Sequence, residues 1–116
     1  MTMKNGEAYQ SLGILISLKE TGRLGFAIAK NSRKLMDELV EYSAKRDELI
    51  QKYGDDLGNG SFKLSPENAI KYDKEIAQYN TMDFEFTPTT VTEDDFTHSN
   101  LTSDQMYALM WMVAEN

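Results

Sequence analysis

The sequence predicts a single domain that is mainly α with a minor β component, and three observations lead there. A chain of 116 residues has the length of one domain. Apolar residues recur at steps of three and four over residues 25–53, which is typical of one long packed helix. Residues 61–64 and 83–86 alternate apolar with polar side chains, as half-buried strands do. We therefore expect a long central helix packed with three shorter helices and a small two-stranded antiparallel element. The helical body should span residues 7–80, and an acidic strand, a loop and a terminal helix should span 81–116.

The first helix is expected over residues 7–19. It contains the most apolar run of the chain, Leu12–Leu18. That run is far shorter than the about 20 residues that a membrane-spanning helix needs, so we expect a buried helix and no membrane contact. Gly22 and Gly25 are expected to separate this helix from the next one.

The long helix is expected to run from about Gly25 to Tyr53 and to end at Gly54. Its apolar seam consists of Ile28, Leu35, Leu39, Tyr42, Leu49 and Tyr53. Ser32 and Arg46 interrupt this seam, and two interpretations of Arg46 remain open. Its stem lies at the edge of the core while the guanidinium reaches water, or it pairs with a buried acid and sets the helix register. We favour the first, because charged residues are rarely fully buried.

A turn is expected over residues 55–60. Asn59 and Gly60 are a hairpin signal. The acidic residues of this segment suggest a calcium loop, but Leu57 and Gly58 break the alternating oxygen ligands that an EF-hand requires. We therefore predict a plain turn.

The third helix is expected to begin at Ser65, because Ser is a good N-cap and Pro66 suits the first helical position. Its apolar face consists of Ala69, Tyr72, Ile76 and Tyr79. The strand candidate 61–64 precedes this helix and the candidate 83–86 follows it, and Pro88 ends the second strand. We expect the two strands to pair antiparallel, with the helix bridging them.

Residues 87–100 are rich in Thr, Asp and Ser and are expected to form a long loop anchored by Val91 and Phe96. The last helix should begin at a capping box of Thr102 and Gln105. Residues 106–113 are apolar almost all round, which predicts burial on more than one side. The methionines and the tryptophan of this segment also fit an adaptable partner surface. We favour core packing, because such stripes at helical spacing usually belong to the core.

The net charge of −7 lies entirely in the last third of the chain. Residues 76–116 carry no base and seven acids, namely Asp83, Glu85, Glu93, Asp94, Asp95, Asp104 and Glu115. This distribution argues against nucleic-acid binding, which requires bases to displace counterions. It favours protein binding through one acidic surface. The expected partner-binding residues are Asp83, Glu85, Glu93, Asp94, Asp95, Trp111 and Met112.

An internal role for these acids also remains open. Lys30, Arg33 and Lys34 share one face of the long helix, and Lys19 and Arg23 lie near them in sequence. This basic cluster can contact phosphate, or it can receive the acidic end of the chain itself. We favour the internal interpretation.

The sequence contains no pattern that predicts catalysis, a metal site or a cofactor, so we expect a protein that is not an enzyme. There is no Cys, and His98 is the only His, placed in the polar loop. The acidic run from Glu93 to Asp95 can hold a hard cation loosely. A solvated loop that shields the neighbouring strand is the better interpretation.

Two stretches resemble a set of small uncharacterised proteins of phages and prophages of Gram-positive bacteria. They are GFAIAKNSRKL (Gly25 to Leu35) and EYSAKRDELIQKYG (Glu41 to Gly54). Like those proteins, the chain continues with a glycine turn, a short strand, a helix and an acidic-aromatic strand at 83–86. A Leu-Thr-x-x-Gln-Met helix follows at 101–112, so the resemblance extends over about residues 12–113. It implies a phage accessory protein in the bacterial cytoplasm and brings no catalytic residues.

Two roles follow from that resemblance and from the charge. The favoured role is a non-enzymatic acidic effector that binds and inhibits a host protein, such as one of an antiviral defence system. The alternative is an assembly or virion accessory protein of the head or tail that works as an oligomer. A protein that sequesters a small ligand between subunits remains a third class. A homodimer is expected at least as strongly as a monomer, because the long helix needs more apolar cover than three short helices supply.

Overall fold

The computed structural model describes residues 1–114 and confirms a mainly α fold with a minor β component. The helices are α1 (Asn5–Ser17), α2 (Gly22–Glu38), α3 (Val40–Tyr53), α4 (Pro66–Asn80), α5 (Glu93–Thr97) and α6 (Ser103–Ala108). The strands are β1 (Thr2–Lys4), β2 (Asp55–Asp56), β3 (Phe62–Lys63) and β4 (Asp83–Glu85). A 3₁₀ turn over Met110–Met112 follows α6.

The core forms where α1 packs on α2 and α4, and where α3 packs on α4. Its fully buried large side chains are Leu15, Leu35, Leu39, Val91, Leu109 and Met112. These residues come from α1, from the long helical region and from the last third of the chain. The C-terminal segment therefore completes the core instead of extending from it.

The long helix is present but is not continuous, and it begins earlier than expected. Gly22 starts α2 with a φ of +67°, a left-handed conformation that glycine adopts without steric cost. At Leu39 the dihedral angles (φ −95°, ψ 9°) leave the helical region and separate α2 from α3. The hydrogen bonds continue across this point, from Leu39 N–H to Leu35 O at 2.9 Å and from Ser43 N–H to Leu39 O at 2.8 Å. The irregularity is therefore a bend, and it separates the half that packs on α1 from the half that packs on α4.

Arg46 lies at the edge of the core, as expected, but its guanidinium packs on aromatic rings. Its guanidinium carbon lies 4.3 Å from the centre of the Tyr9 ring, and one of its nitrogens donates to the Tyr42 hydroxyl at 3.4 Å. Within residues 1–114 it forms no ion pair with an acid. Arg46 thus lies half-buried at the edge of the core, where aromatic faces stabilise its charge.

The expected pairing of 61–64 with 83–86 is wrong. Strand β3 pairs instead with β2, through the turn that contains Asn59 and Gly60, and β4 pairs with β1 from the start of the chain. Both pairs are antiparallel. The reason is the length of α4, whose 15 residues extend about 22 Å and hold β3 and β4 at opposite ends of the helix. The N-cap at Ser65 and the Pro66 start of this helix are confirmed.

The expected loop at 87–100 contains the short helix α5, which corrects the prediction. Thr92 caps this helix, and the Asp95 carboxylate accepts from the Thr92 N–H in return. Sequence reasoning missed this capping box because Asp replaces the usual Glu or Gln at the third position. The expected anchoring is confirmed, because Val91 and Phe96 are buried.

The last helix begins at the expected capping box of Thr102 and Gln105 but is shorter than expected. After Ala108 the chain tightens into the 3₁₀ turn. Leu109 and Met112 are fully buried, whereas Tyr107 is 84% exposed and Met110 is 51% exposed. The prediction that this segment is buried on several sides is therefore wrong for Tyr107 and Met110. Val91 pairs with Val113 in parallel, through hydrogen bonds of 2.8 and 2.9 Å, and this bridge holds the turn in place.

Candidate protein-binding face

An open groove of about 940 Å³ lies beside the 3₁₀ turn. It is lined by Met1, Pro88, Thr90, Glu93, Met110, Trp111, Val113 and Ala114. A second depression shares Met1, Met110 and Trp111 with it and continues towards α1. We call this combined concave surface the terminal groove.

Trp111 lines both parts of the terminal groove and is held by two side-chain contacts. Its indole N–H donates to the Ser11 hydroxyl on α1 at 3.3 Å. Its ring packs edge-on against Phe86, with ring centres 5.8 Å apart. Its neighbour Met112 is 0% exposed and anchors the turn in the core. A half-buried indole that is fixed in this way gives a partner a rigid apolar anchor.

Met1 and Met110 supply the adaptable part of the terminal groove. Both residues are about half exposed. The backbone of Met1 extends the β1–β4 pairing, because the Phe86 N–H donates to the Met1 carbonyl oxygen at 2.7 Å. The backbone at Met1 is thus fixed, while its flexible thioether side chain can adjust to a bound surface.

The acids of α5 border this groove on one side. Glu93 lines the groove itself, and Glu93 and Asp94 are exposed. Asp95 has a structural role instead. The hydrogen bond from the Thr92 backbone N–H lowers the pKa of the Asp95 carboxyl below its ordinary value, because that bond favours the charged form. Of the three acids of α5, Glu93 and Asp94 are therefore the two whose charge is available to a partner protein.

The acids of β4 form a separate exposed edge. Asp83 and Glu85 point away from the core side occupied by Phe84 and Phe86. Thr2 on β1 donates to the Glu85 carboxylate at 2.5 Å. Asp83 lies opposite Lys4 in the strand register. The N-terminal ammonium of Met1 lies 3.9 Å from the Glu85 carboxylate. Both acids are accessible.

Of the expected partner-binding residues, the structure brings Glu93 and Trp111 to one groove and places Asp94 beside it. Asp95 belongs to a helix cap, and Asp83 and Glu85 lie on the β1–β4 edge. Met112 is a correction, because a fully buried side chain cannot contact a partner. Met1 was missed, and Met110 was considered only in the partner-surface interpretation of residues 106–113, which the sequence analysis did not favour. Met1 is brought to the groove only by the β1–β4 pairing, for which the sequence carries no visible signal.

The internal docking of acids onto the basic cluster is not observed among residues 1–114. No acid forms an ion pair with Lys30, Arg33 or Lys34 there. Lys34 instead donates to the Thr87 carbonyl oxygen and to the Thr89 hydroxyl, each at 3.1 Å. Arg23 is the base that shares a depression with Glu93, Asp94 and Asp95, and it forms no ion pair with them. Glu115 lies outside the described residues.

A buried amide on α2 also holds the C-terminal segment. Asn31 is fully buried, and its side chain exchanges two hydrogen bonds with the Thr89 backbone. Asn31 occupies the seam position between Ile28 and Leu35, three residues after one and four before the other. A polar residue at such a position signals a buried hydrogen-bond partner, and that signal was available in the sequence.

The only histidine of the chain does not form a site with its neighbours. His98 is exposed, and its Nδ1 lies 2.9 Å from the Asp94 carbonyl oxygen in the preceding turn. Within residues 1–114, no group of three His, Asp or Glu side chains is arranged to hold a metal ion. In the same part of the chain, no helix is both long enough and apolar enough to cross a bilayer. A scan against protein-family models finds no match, and searches of curated proteins and of solved structures find none either.

Proposed function

We propose that this chain is a non-enzymatic, phage-encoded interaction protein that binds and inhibits a basic protein of the bacterial host. The antiviral defence proteins of the host are the expected class of target, and the bacterial cytoplasm is the expected place of action. The proposal assigns no catalytic residue and no cofactor. It rests on the resemblance of the sequence to phage proteins and on the terminal groove.

The terminal groove is the observation that carries this proposal. It places a rigid tryptophan and two adaptable methionines next to the exposed carboxylate of Glu93, which forms no ion pair within residues 1–114. Protein interfaces commonly combine an aromatic anchor at the centre with a polar rim. The fitting occupant is an apolar side chain of the partner that is flanked by Lys or Arg. The apolar contact then slows dissociation of the complex, and the acids accelerate association.

Inhibition follows if the partner binds nucleic acid through the same basic surface. A protein that handles nucleic acid needs Lys and Arg to neutralise phosphates. An acidic protein that covers those side chains competes directly with the nucleic acid for them. High salt should weaken both interactions, because both depend on screened charges.

The decisive experiment compares matched variants in host lysate. The wild type, the groove variant Met110→Lys and the control Ile70→Lys would be used as baits, and bound proteins would be quantified by mass spectrometry. Ile70 is similarly exposed but lies on α4, outside the terminal groove. The proposal requires a basic protein that is retained by the wild type and the control and lost with Met110→Lys. The purified partner must then lose activity when the wild type is added.

A virion or assembly role remains the second proposal, and one observation favours it. Helix α2 presents exposed apolar residues on the side opposite the core, which is typical of a subunit that contacts another copy. A phage structural protein in the pull-down, in place of a host protein, would support this role and contradict the effector role.

A further inference from the structure

Helix α2 has a stripe on its solvent side that is apolar except for Arg33, and we call it the α2 stripe. Its members recur at steps of three and four, and they are Phe26, Ala29, Arg33, Met36 and Val40 just beyond the helix end. Phe26 is 63% exposed, Met36 49% and Val40 61%. Side chains at these spacings lie on one face of a helix.

The α2 stripe lies opposite the face that α2 gives to the core. The buried residues of α2 are Leu24, Ala27, Ile28, Asn31 and Leu35. At 100° per residue, the two sets have mean directions nearly half a turn apart. No element within residues 1–114 covers the stripe, so this helix has a second apolar face that is not needed for the fold of the monomer.

We propose that the α2 stripe binds a second copy of this chain, with the two α2 helices antiparallel about a two-fold axis at the level of Lys34. The inference is independent of the proposed function, because the stripe shares no residue with the terminal groove. Such a dimer leaves both grooves free. It therefore presents two binding faces to a partner, which increases the effective affinity for a repeated or dimeric target.

The charges beside the stripe select the antiparallel arrangement. Lys30 and Asp37 flank the stripe on the same side, seven residues apart and about equally far from the proposed axis. An antiparallel pairing about that axis keeps this flank on one side of the contact and brings Lys30 of each copy opposite Asp37 of the other. A parallel two-fold pairing puts the flanks of the two copies on opposite sides of the contact, so neither complementary pair forms.

The same register also brings stripe residues of complementary size together. Ala29 faces Val40 of the second copy, so a small residue meets a larger one. Arg33 faces Met36 of the second copy, and its aliphatic stem can cover the thioether while its charge reaches water. Lys30 lies over the Phe26 ring, 5.4 Å from its centre, so its amine already lies along the stripe.

The size of the stripe sets the expected affinity. The 17 residues of α2 extend about 25 Å, so one helix pair buries less than the about 800 Å² per partner of a standard interface. The helix is already formed in the monomer, so pairing costs no helix nucleation. We therefore expect a reversible dimer with a Kd of about 1–100 μM.

The test begins with mass measurement over a concentration series. Analytical ultracentrifugation of the wild type should show the 13.2 kDa monomer at low concentration and twice that mass at high concentration. Lys30→Glu and Asp37→Lys should each weaken the dimer about tenfold, because each replaces two complementary pairs with two repulsive ones. Lys74→Glu and Asp73→Lys on α4 make the same charge changes away from the stripe and should leave the dimer unchanged.

Mixing the two weakened variants identifies the geometry. In a dimer of one Lys30→Glu chain and one Asp37→Lys chain, the introduced glutamate faces the introduced lysine, and the two unchanged residues face each other. Both contacts become complementary again, so the equimolar mixture should dimerise about as well as the wild type. Wild type that remains monomeric up to about 1 mM overturns the dimer. Dimers that resist both variants, or a mixture that recovers nothing, overturn the antiparallel α2 contact.

Folding effects are separated by two further measurements. All charge variants should keep the melting temperature of the wild-type monomer at low concentration, since Lys30 and Asp37 are exposed. Met36→Ser should weaken the dimer, whereas Ile70→Ser, which removes a similarly exposed apolar side chain from α4, should not. Equal effects of these two substitutions on the dimer would contradict the stripe as its contact surface.

Discussion

Asn31 and Thr89 are joined by two reciprocal hydrogen bonds. The Asn31 amide nitrogen donates to the Thr89 carbonyl oxygen at 2.9 Å, and the Thr89 N–H donates to the Asn31 carbonyl oxygen at 2.7 Å. Asn31 lies on α2 and Thr89 follows β4, so the pair connects the helical body to the C-terminal segment. The pair satisfies the backbone N–H and carbonyl of Thr89 together with the oxygen and one N–H of the Asn31 amide.

The first prediction tests this pair. Asn31→Leu should lower the free energy of unfolding by about 2–3 kcal/mol, because it leaves the Thr89 donor and acceptor without their partner. Urea denaturation followed by Trp111 fluorescence measures the change. Asn68→Leu is the matched control, since Asn68 donates one hydrogen bond, to the Tyr53 carbonyl oxygen. A loss for Asn31→Leu no larger than for the control would contradict the docking role.

The second prediction uses two glycines with opposite expected effects. Gly13 lies in α1 with no atom within 4 Å of an added Cβ, so Gly13→Ala should stabilise the protein by about 0.5–1 kcal/mol. A Cβ at Gly25 would lie 2.4 Å from the Glu20 carbonyl oxygen. Gly25→Ala should therefore destabilise the protein, by about 1–3 kcal/mol, because the backbone must move. Thermal melting of both variants tests the signs, and a stabilised Gly25→Ala would show that the α1–α2 connection is looser than described.

The third prediction concerns the pKa of Glu75. The Tyr53 hydroxyl and then the Lys52 ammonium donate to the Glu75 carboxylate and lower its pKa below the ordinary 4.5. A carboxyl with a depressed pKa stabilises the fold above its unfolded pKa, and this contribution is lost as the pH falls through the folded pKa. Tyr53→Phe should raise the pKa of Glu75 towards 4.5, as measured by NMR titration of the carboxyl carbon. An unchanged pKa in Tyr53→Phe would show that the hydroxyl does not bind the charged carboxylate in solution.

The fourth prediction tests the acidic rim of the terminal groove, once the partner is purified. The double change Glu93→Gln and Asp94→Asn should lower the association rate about three- to tenfold at low salt, with a smaller loss at high salt. Asp95 is left unchanged, because it closes the cap on Thr92. Glu67→Gln with Asp73→Asn removes two exposed acids of α4 and serves as the control. Equal association rates for the two double variants would contradict the role of α5 in recognising the partner.

Much of the helical body could be predicted from local signals. The Ser65 and Pro66 start, the Thr102 capping box and the seam from Ile28 to Leu49 each depend on residues within a few positions of one another. Such signals are readable because the hydrogen bonds of a helix are themselves local. The bend at Leu39 was not readable, because the sequence there has neither Pro nor Gly.

The strand pairing could not be predicted in the same way. Strands 62–63 and 83–85 show the expected alternation, but alternation identifies a face and not a partner. Their partners lie at the turn after α3 and at the start of the chain. The candidate site depends on that second pairing, since it brings Met1 beside Met110 and Trp111.

The sequence by itself determined most of the helical body, the caps at Ser65 and Thr102 and the placement of all the excess charge in the last third of the chain. Only the tertiary structure decided which of those acids borders the terminal groove, since it brings Glu93 beside Met1, Met110 and Trp111. It also decided that Met112 is core and that Met110, two residues earlier, is surface. The physical reason is that caps and helical periodicity arise from neighbours along the chain. The availability of a side chain depends instead on segments that are distant in sequence and meet only when the core forms.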